Sequence, residues 1–340
     1  MTKKRTSKII FLGLVFLFIG VVFASGLFAV LVLDTNIDAI KAIDSVSAIS
    51  KTEAESLIEK GYFGKHIKAK LTQEAGLSNN MDIELSVFGL FKLKTKTVKV
   101  EDSVEVYAIG EAVSFKCFTK EEEGFFRDTK IYSGEVLGVG TLTYVKKEDN
   151  KFGALGHALL DENKKDAVKV VKGTVANASV VSIEKSRAGY AGELKALPNM
   201  LTASSIGDIE KNSELGVYGK VNDEWVKKRL KDEVSVLKCG RFSVKPGNAK
   251  ILAQVNNEPP RLYDIKIVKA SKQKNTATRG MVIKITDKEL LSKTGGIVQG
   301  MSGSPILQDG KLIGAVTHLF LNDPTRGYGV YADFMFEENE

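Results

Sequence analysis

The chain has 340 residues, length enough for about two domains. Its 43% hydrophobic and 27% charged residues form a globular balance that excludes wholesale disorder. The net charge is +7, but Lys3, Lys4, Arg5 and Lys8 supply four of those charges, and the +3 left over the rest excludes a nucleic-acid-binding surface. Cys117 and Cys239 are the only cysteines, and no CxxC or Cys/His cluster exists. A structural zinc site is thereby excluded, and neither a metal nor a cofactor is expected. The two cysteines read as buried small apolar residues of β segments, with a single disulfide between them as the alternative outside the cytoplasm.

Residues 1–8 form a basic tail, and Ile9 to Leu33 carry no charge. As a helix that run spans about 37 Å, enough to cross a hydrocarbon core about 30 Å thick. The basic flank keeps the tail cytoplasmic and sends everything after Asp34 across the membrane. A cleaved signal peptide ending near Ala24-Ser25-Gly26 is the rival reading. Residues 34–80 read as a stalk with a short helix, opened by the capping box Thr52-Glu53-Ala54-Glu55.

From Met81 the texture changes to short β segments, giving an N-terminal β segment over 81–133. The acidic, polar stretch Thr119 to Lys130 reads as a solvated loop. A second β-rich domain, 134–340, follows, with strands expected over 136–145, 168–183 (two strands, with a turn at Gly173), 215–218, 251–255, 262–268, 281–285 and 312–320. A short turn is expected over Asp208–Asn212. No internal repeat is present.

The chemically informative segment is Gly300-Met301-Ser302-Gly303-Ser304-Pro305. A nucleophilic serine needs a tight turn that exposes its hydroxyl and gathers backbone N–H groups at one point, and glycines permit that backbone. Asp309-Gly310 then marks a two-residue hairpin turn into the apolar run Leu312–Phe320. This order resembles the nucleophile loop of chymotrypsin-like peptidases, which makes Ser302 the nucleophile and the N–H groups of Gly300 and Ser302 the oxyanion donors. A serine hydroxyl needs a base. Of the three histidines, His66 lies in the stalk and His318 within the apolar strand, whereas His157 ends a glycine-punctuated strand and is the candidate base. For the orienting acid, Asp287 ends a β segment between His157 and Ser302, with a helix N-cap as its structural reading. Asp161 lies in a polar turn and Asp323 reads as a turn initiator. Met301 occupies the place where chymotrypsin-like zymogens keep an Asp, so activation by insertion of a new N-terminus is not expected.

The stretches 138–161 (GVGTLTYVKKEDNKFGALGHALLD) and 300–334 (GMSGSPILQDGKLIGAVTHLFLNDPTRGYGVYADF), with VSIEK and IGDIEKNSELGVYG between them, resemble the stage IV sporulation protein B peptidase family. The resemblance covers roughly 134–336. It implies a mainly β, chymotrypsin-like double-barrel serine endopeptidase with Ser302 as nucleophile, His157 as base and Asp287 as acid. It further implies an anchor at 9–33 and a peptidase domain in the space between the two spore membranes. The implied substrate is the extracytoplasmic part of a membrane protein that regulates an intramembrane protease controlling sigma-factor processing. The family usually carries a PDZ domain before the peptidase domain, and the Cys117–Gly134 stretch is too short to hold one. A catalytically silent, peptidase-like binding protein of the spore envelope is the alternative.

Overall fold

The computed structural model describes residues 48–50, 67–72, 80–87, 91–101, 104–123, 130–160, 166–198, 205–271 and 277–339. The expected anchor at 9–33, the capping box at Thr52, His66 and Asp161 lie outside them. Among the described residues no helix is long and apolar enough to cross a membrane.

The chain divides into two compact units, one of Met1–Ala48 and Ser56–Lys99, the other of Ile49–Glu55 and Val100–Glu340. The N-terminal sheet joins β1 (Ala48–Ser50), β2 (Ile67–Thr72), β3 (Asn80–Val87) and β4 (Phe91–Glu101) in the order β1-β4-β3-β2, antiparallel across β2, β3 and β4. Two of these strands thus fall in the stretch expected as a stalk.

The second unit begins with β5 (Glu105–Ala108), β6 (Ala112–Glu123), β7 (Lys130–Lys146), β8 (Lys151–Ala154), β9 (Lys172–Glu184), β10 (Glu193–Pro198), β11 (Gly207–Ser213) and β12 (Gly216–Val221). Helix α1 (Asp223–Arg229) and the short β13 (Val236–Leu237) close this half. Strand pairing runs from β6 to β7, β8, β12, β11, β9 and back to β6, so the sheet returns on itself and encloses Phe115, Leu142, Phe152 and Val217, all fully buried. A second, closed barrel follows, built from β14 (Gly247–Ala253), β15 (Arg261–Ala270), β16 (Met281–Ile285), β19 (Asp323–Tyr331), β18 (Lys311–Phe320) and β17 (Pro305–Gln308) in that order around the ring. Closure leaves no free strand edge, and the alternation of buried and exposed residues along β15 is what a barrel wall requires.

Several expectations need correction. The boundary before Gly134 does not hold: β6 pairs with β7 from Ala112↔Thr141 to Glu123↔Lys130, and Phe115 and Cys117 sit in the core. The acidic run Glu121–Glu123 belongs to that ladder, where Lys130 pairs with Glu121 at 2.6 Å. Gly173 does not turn the chain. It lies inside β9 because a Cβ there would press on Ile209 at 2.9 Å. Asp208–Asn212 is strand β11, which pairs with β12 through a bulge. Both cysteines are buried, and burial raises the Cys117 thiol to about 11. The Asp309-Gly310 turn is as expected: both residues have positive φ (51° and 74°), as a two-residue hairpin of this type demands.

Helix α2 (Lys288–Thr294) follows β16, and helix α3 (Ala332–Glu337) ends the chain. Helix α3 ties the two halves together. Asp333 accepts from Lys238 Nζ at 2.7 Å and from the Arg241 backbone N–H at 2.7 Å. Phe336 stacks on Tyr144 of β7 at 4.3 Å, and Asn339 donates to the Phe152 carbonyl at 3.0 Å. Burial pushes the Asp333 carboxyl up, but Lys238 and Arg241 outweigh it and hold the pKa below the ordinary carboxylate value. The contribution of this depressed group is therefore present above about pH 4 and is lost as pH falls through its folded-state value. Asp333→Ala leaves a buried lysine and arginine without their shared anion. Denaturant unfolding at pH 7 is expected to show a loss of about 3–5 kcal/mol.

Candidate active site

The segment Gln299–Ser304 enters β17 as a loop whose backbone is tied at almost every group. The carbonyl of Gln299 accepts from Leu194 N–H at 2.8 Å, that of Met301 from Ser304 N–H at 3.0 Å, and that of Ser302 from Thr141 N–H at 2.9 Å. The Thr141 hydroxyl donates to the Gly300 carbonyl at 2.9 Å, and the Thr143 hydroxyl donates to the Gly303 carbonyl at 2.7 Å. On the donor side, Gln299, Met301 and Gly303 N–H bond to the carbonyls of Gly192, Val298 and Val316. Among the described residues, the N–H groups of Gly300 and Ser302 have no acceptor. They are the two donors expected for an oxyanion. The loop needs φ of 93° at Gly300 and 94° at Gly303. A Cβ on Gly303 would overlap the Thr141 carbonyl, so a larger residue cannot lie this close to β7.

His157 arrives from the other half. After β8 the chain turns through two consecutive left-handed residues, Leu155 (φ 68°) and Gly156 (φ 71°). Positive φ at a buried leucine is strained by about 1–3 kcal/mol, and the surrounding bonds hold it there: Leu155 N–H to Thr141 O at 3.2 Å and Gly156 N–H to Ala154 O at 2.8 Å. Past the histidine, the Asn212 side chain accepts from Leu159 N–H at 2.8 Å and donates to the carbonyls of Leu159 and Val168, both at 2.9 Å. A Cβ on Gly156 would lie 3.0 Å from the Thr317 methyl, and Gly303 lies against Leu155, so the histidine turn and the serine loop are in direct apposition.

The half-buried His157 donates Nδ1–H to the Ala158 carbonyl at 3.0 Å, which leaves Nε2 as the acceptor. Burial pulls its pKa below the ordinary imidazole value, and the Ala158 carbonyl opposes this in part. The Ser302 hydroxyl donates to the Thr317 carbonyl at 2.7 Å, and no hydrogen bond joins it to His157. The ring of His318, the residue after Thr317, lies 5.2 Å from that of His157. Partial burial first, and then His157 and Arg279, lower the His318 pKa to about 4. In the sequence His318 stands within the apolar strand. Its closeness to His157 depends on barrel closure, and no local signal announces it.

Asp287 does not meet His157. It is the N-cap of α2: one carboxylate oxygen accepts from Leu290 N–H at 2.9 Å and the other from Asp264 N–H at 3.3 Å. Among the described residues no carboxylate bonds to His157. Asp323 caps its own turn, accepting from Thr325 at 2.5 Å. Met301 is fully buried. Among the described residues no group of three or more His, Cys, Asp or Glu side chains converges.

Two outcomes are expected. Thr141→Val removes the hydroxyl that holds the Gly300 carbonyl. Phosphonylation of Ser302 by an active-site-directed fluorophosphonate, with fluoride leaving, should slow by about 10- to 100-fold, with Thr141→Ser restoring it. Because His157 is depressed and has no carboxylate partner, its neutral form persists below about pH 6.5. The acid limb of the pH–phosphonylation profile should therefore fall below that value; a limb above it would require a buried anion beside the imidazole.

The comparisons with known proteins extend this picture. No curated protein matches the chain. Among solved structures, the active form of the Rv3671c protease from M. tuberculosis is similar over 68% of this chain and 79% of its own, at 12% identity and a TM-score of 0.34. The inactive form of Rv3671c protease is similar over 67% and 86%, at 12% identity and a TM-score of 0.32, a likeness too remote to bear on the site. Residues 131–336 match the family described as SpoIVB peptidase S55. That match takes in β7 with its two threonines, His157 and the whole serine loop, and on it the chain belongs to the SpoIVB peptidase S55 family and is a serine peptidase.

Proposed function

We propose that the chain is a membrane-anchored endopeptidase in which Ser302 attacks the scissile carbonyl and His157 takes its proton. The observation that carries this reading is the pair of unpartnered N–H groups at Gly300 and Ser302, on a loop whose other polar groups are nearly all engaged. Donors fixed before reaction stabilise a developing oxyanion at no reorganisation cost. In the first step Ser302 Oγ leaves the Thr317 carbonyl and turns to Nε2 of His157, the nitrogen freed by the Nδ1–Ala158 bond. The proton moves to Nε2 as Oγ bonds to the substrate carbon, and His157 then returns it to the leaving amine. The Ala158 carbonyl does the orienting that an acid does in a triad, and Asp287 acts through α2 as its cap.

The uncharged run at 9–33, behind a basic flank, supports a peptidase domain held outside the cytoplasm near its substrate. The substrate we infer is the extracytoplasmic part of a membrane protein that regulates an intramembrane protease of sigma-factor processing during sporulation. Tethering raises the effective concentration of such a target. One observation favours the catalytically silent alternative: the Ser302 hydroxyl is bonded to Thr317 rather than to His157.

Full-length protein treated with a fluorophosphonate decides between the two. Labelling in the wild type, lost in Ser302→Ala and His157→Ala, is the expected result; an unlabelled wild type with intact folding would establish the silent reading. Asp287→Asn keeps a good N-cap and removes the charge. It is expected to label within about tenfold of wild type, whereas loss of a triad acid costs about 10⁴-fold.

A further inference from the structure

Beside the serine loop, a groove of about 630 Å³ crosses the outer face of the sheet that holds β7, β6, β9 and β10 and ends at Gln299 and Gly300. Its walls carry side chains that a solvent-facing sheet normally avoids. Leu137 is 67% exposed and Leu197 is 59% exposed, and Val139 stands beside Leu137 on the same face of β7. Ala176 lies in the floor, and the wall nearest the serine is Leu194. Leu194 N–H bonds to the Gln299 carbonyl, so the groove and the serine loop share one backbone connection. Two charged residues line it, Lys116 and Glu193, of opposite sign, and Lys116 is already paired with Glu135 at 2.7 Å. The groove thus offers apolar area and no net charge to select an ionic partner.

We propose that this groove is a specificity subsite that takes an apolar side chain of the polypeptide substrate close to the scissile bond. The occupant follows from continuity: Gly300 lines the groove and supplies an oxyanion donor, so a chain with its carbonyl at Ser302 must run past the groove mouth. An aliphatic or aromatic residue there covers Leu137, Val139 and Leu197 and removes their apolar surface from water. The proposal rests on Ser302 being the nucleophile.

The test uses the full-length protein and a peptide library whose members differ at the residues flanking the scissile bond. Wild type should cut peptides with Leu, Ile, Val or Phe at one flanking position over those with Asp or Lys. In Leu137→Glu and in Leu197→Glu, kcat/KM for the apolar peptides should fall about 10- to 100-fold, chiefly through KM. Both positions face solvent, so the fold is spared, and the rate of fluorophosphonate labelling at Ser302 should not change. Unchanged kcat/KM in both variants with normal labelling overturns the subsite. Absence of labelling in wild type instead overturns the nucleophile assignment on which it rests.

Discussion

The site depends on the grip of two β7 threonines on the serine loop. Thr141 holds that loop at Ser302 with its N–H and at Gly300 with its hydroxyl, and Thr143 holds it at Gly303. A peptide plane has its carbonyl and its N–H on opposite edges. Pinning the carbonyls therefore also sets where the N–H groups point. The planes that carry the Gly300 and Ser302 N–H groups are set at the Gln299 carbonyl by Leu194 N–H and at the Met301 carbonyl by Ser304 N–H. The barrel strand anchors the loop on either side of these two N–H groups. The glycines at 300 and 303 make the arrangement sterically feasible, and Gly303 does so by bringing backbone against backbone.

The same strand holds the turn that carries His157. Thr141 also accepts from Leu155 N–H, the first residue of the left-handed turn that presents His157. One residue of β7 is therefore bonded to both catalytic loops, and it fixes them relative to each other more directly than any bond between Ser302 and His157. What remains adjustable is the serine hydroxyl, which rests on the Thr317 carbonyl. This is how a peptidase can have a rigid frame and a resting nucleophile together. Helix α3 and its buried Asp333 serve the frame from the far side by locking the two barrels, since Lys238 lies beside β13 and Phe336 packs on β7.

The groove and the serine loop show how specificity and chemistry share parts. Leu194 closes the groove at one end and donates to Gln299, so a ligand that shifts β10 also acts on the backbone that precedes Gly300. His318 lies beside His157, its pKa lowered to about 4 by partial burial and by its charged neighbours, so it brings no positive charge next to that ring at neutral pH.

The Asp309-Gly310 hairpin and the tight loops that carry Ser302 and His157 were legible in the sequence because each is declared by its immediate neighbours: a turn dipeptide before an apolar run, glycines around a serine, a glycine-punctuated strand end. The mainly β character and the family were legible for the same reason, as local periodicity and contiguous motifs. The tertiary structure decided everything that rests on distant pairs. Thr141 and Gly300 are 159 residues apart, and nothing near either one names the other. The approach of His318 to His157 likewise follows from closure of the barrels. Asp287 is the instructive case: local sequence admitted it as a triad acid or as a helix cap, its bond to Leu290 N–H is the local cap, and the packing of α2 against β15 adds the contact to Asp264 N–H. Local sequence sets which backbone conformations and side-chain chemistries are available; which of them meet is decided by long-range packing.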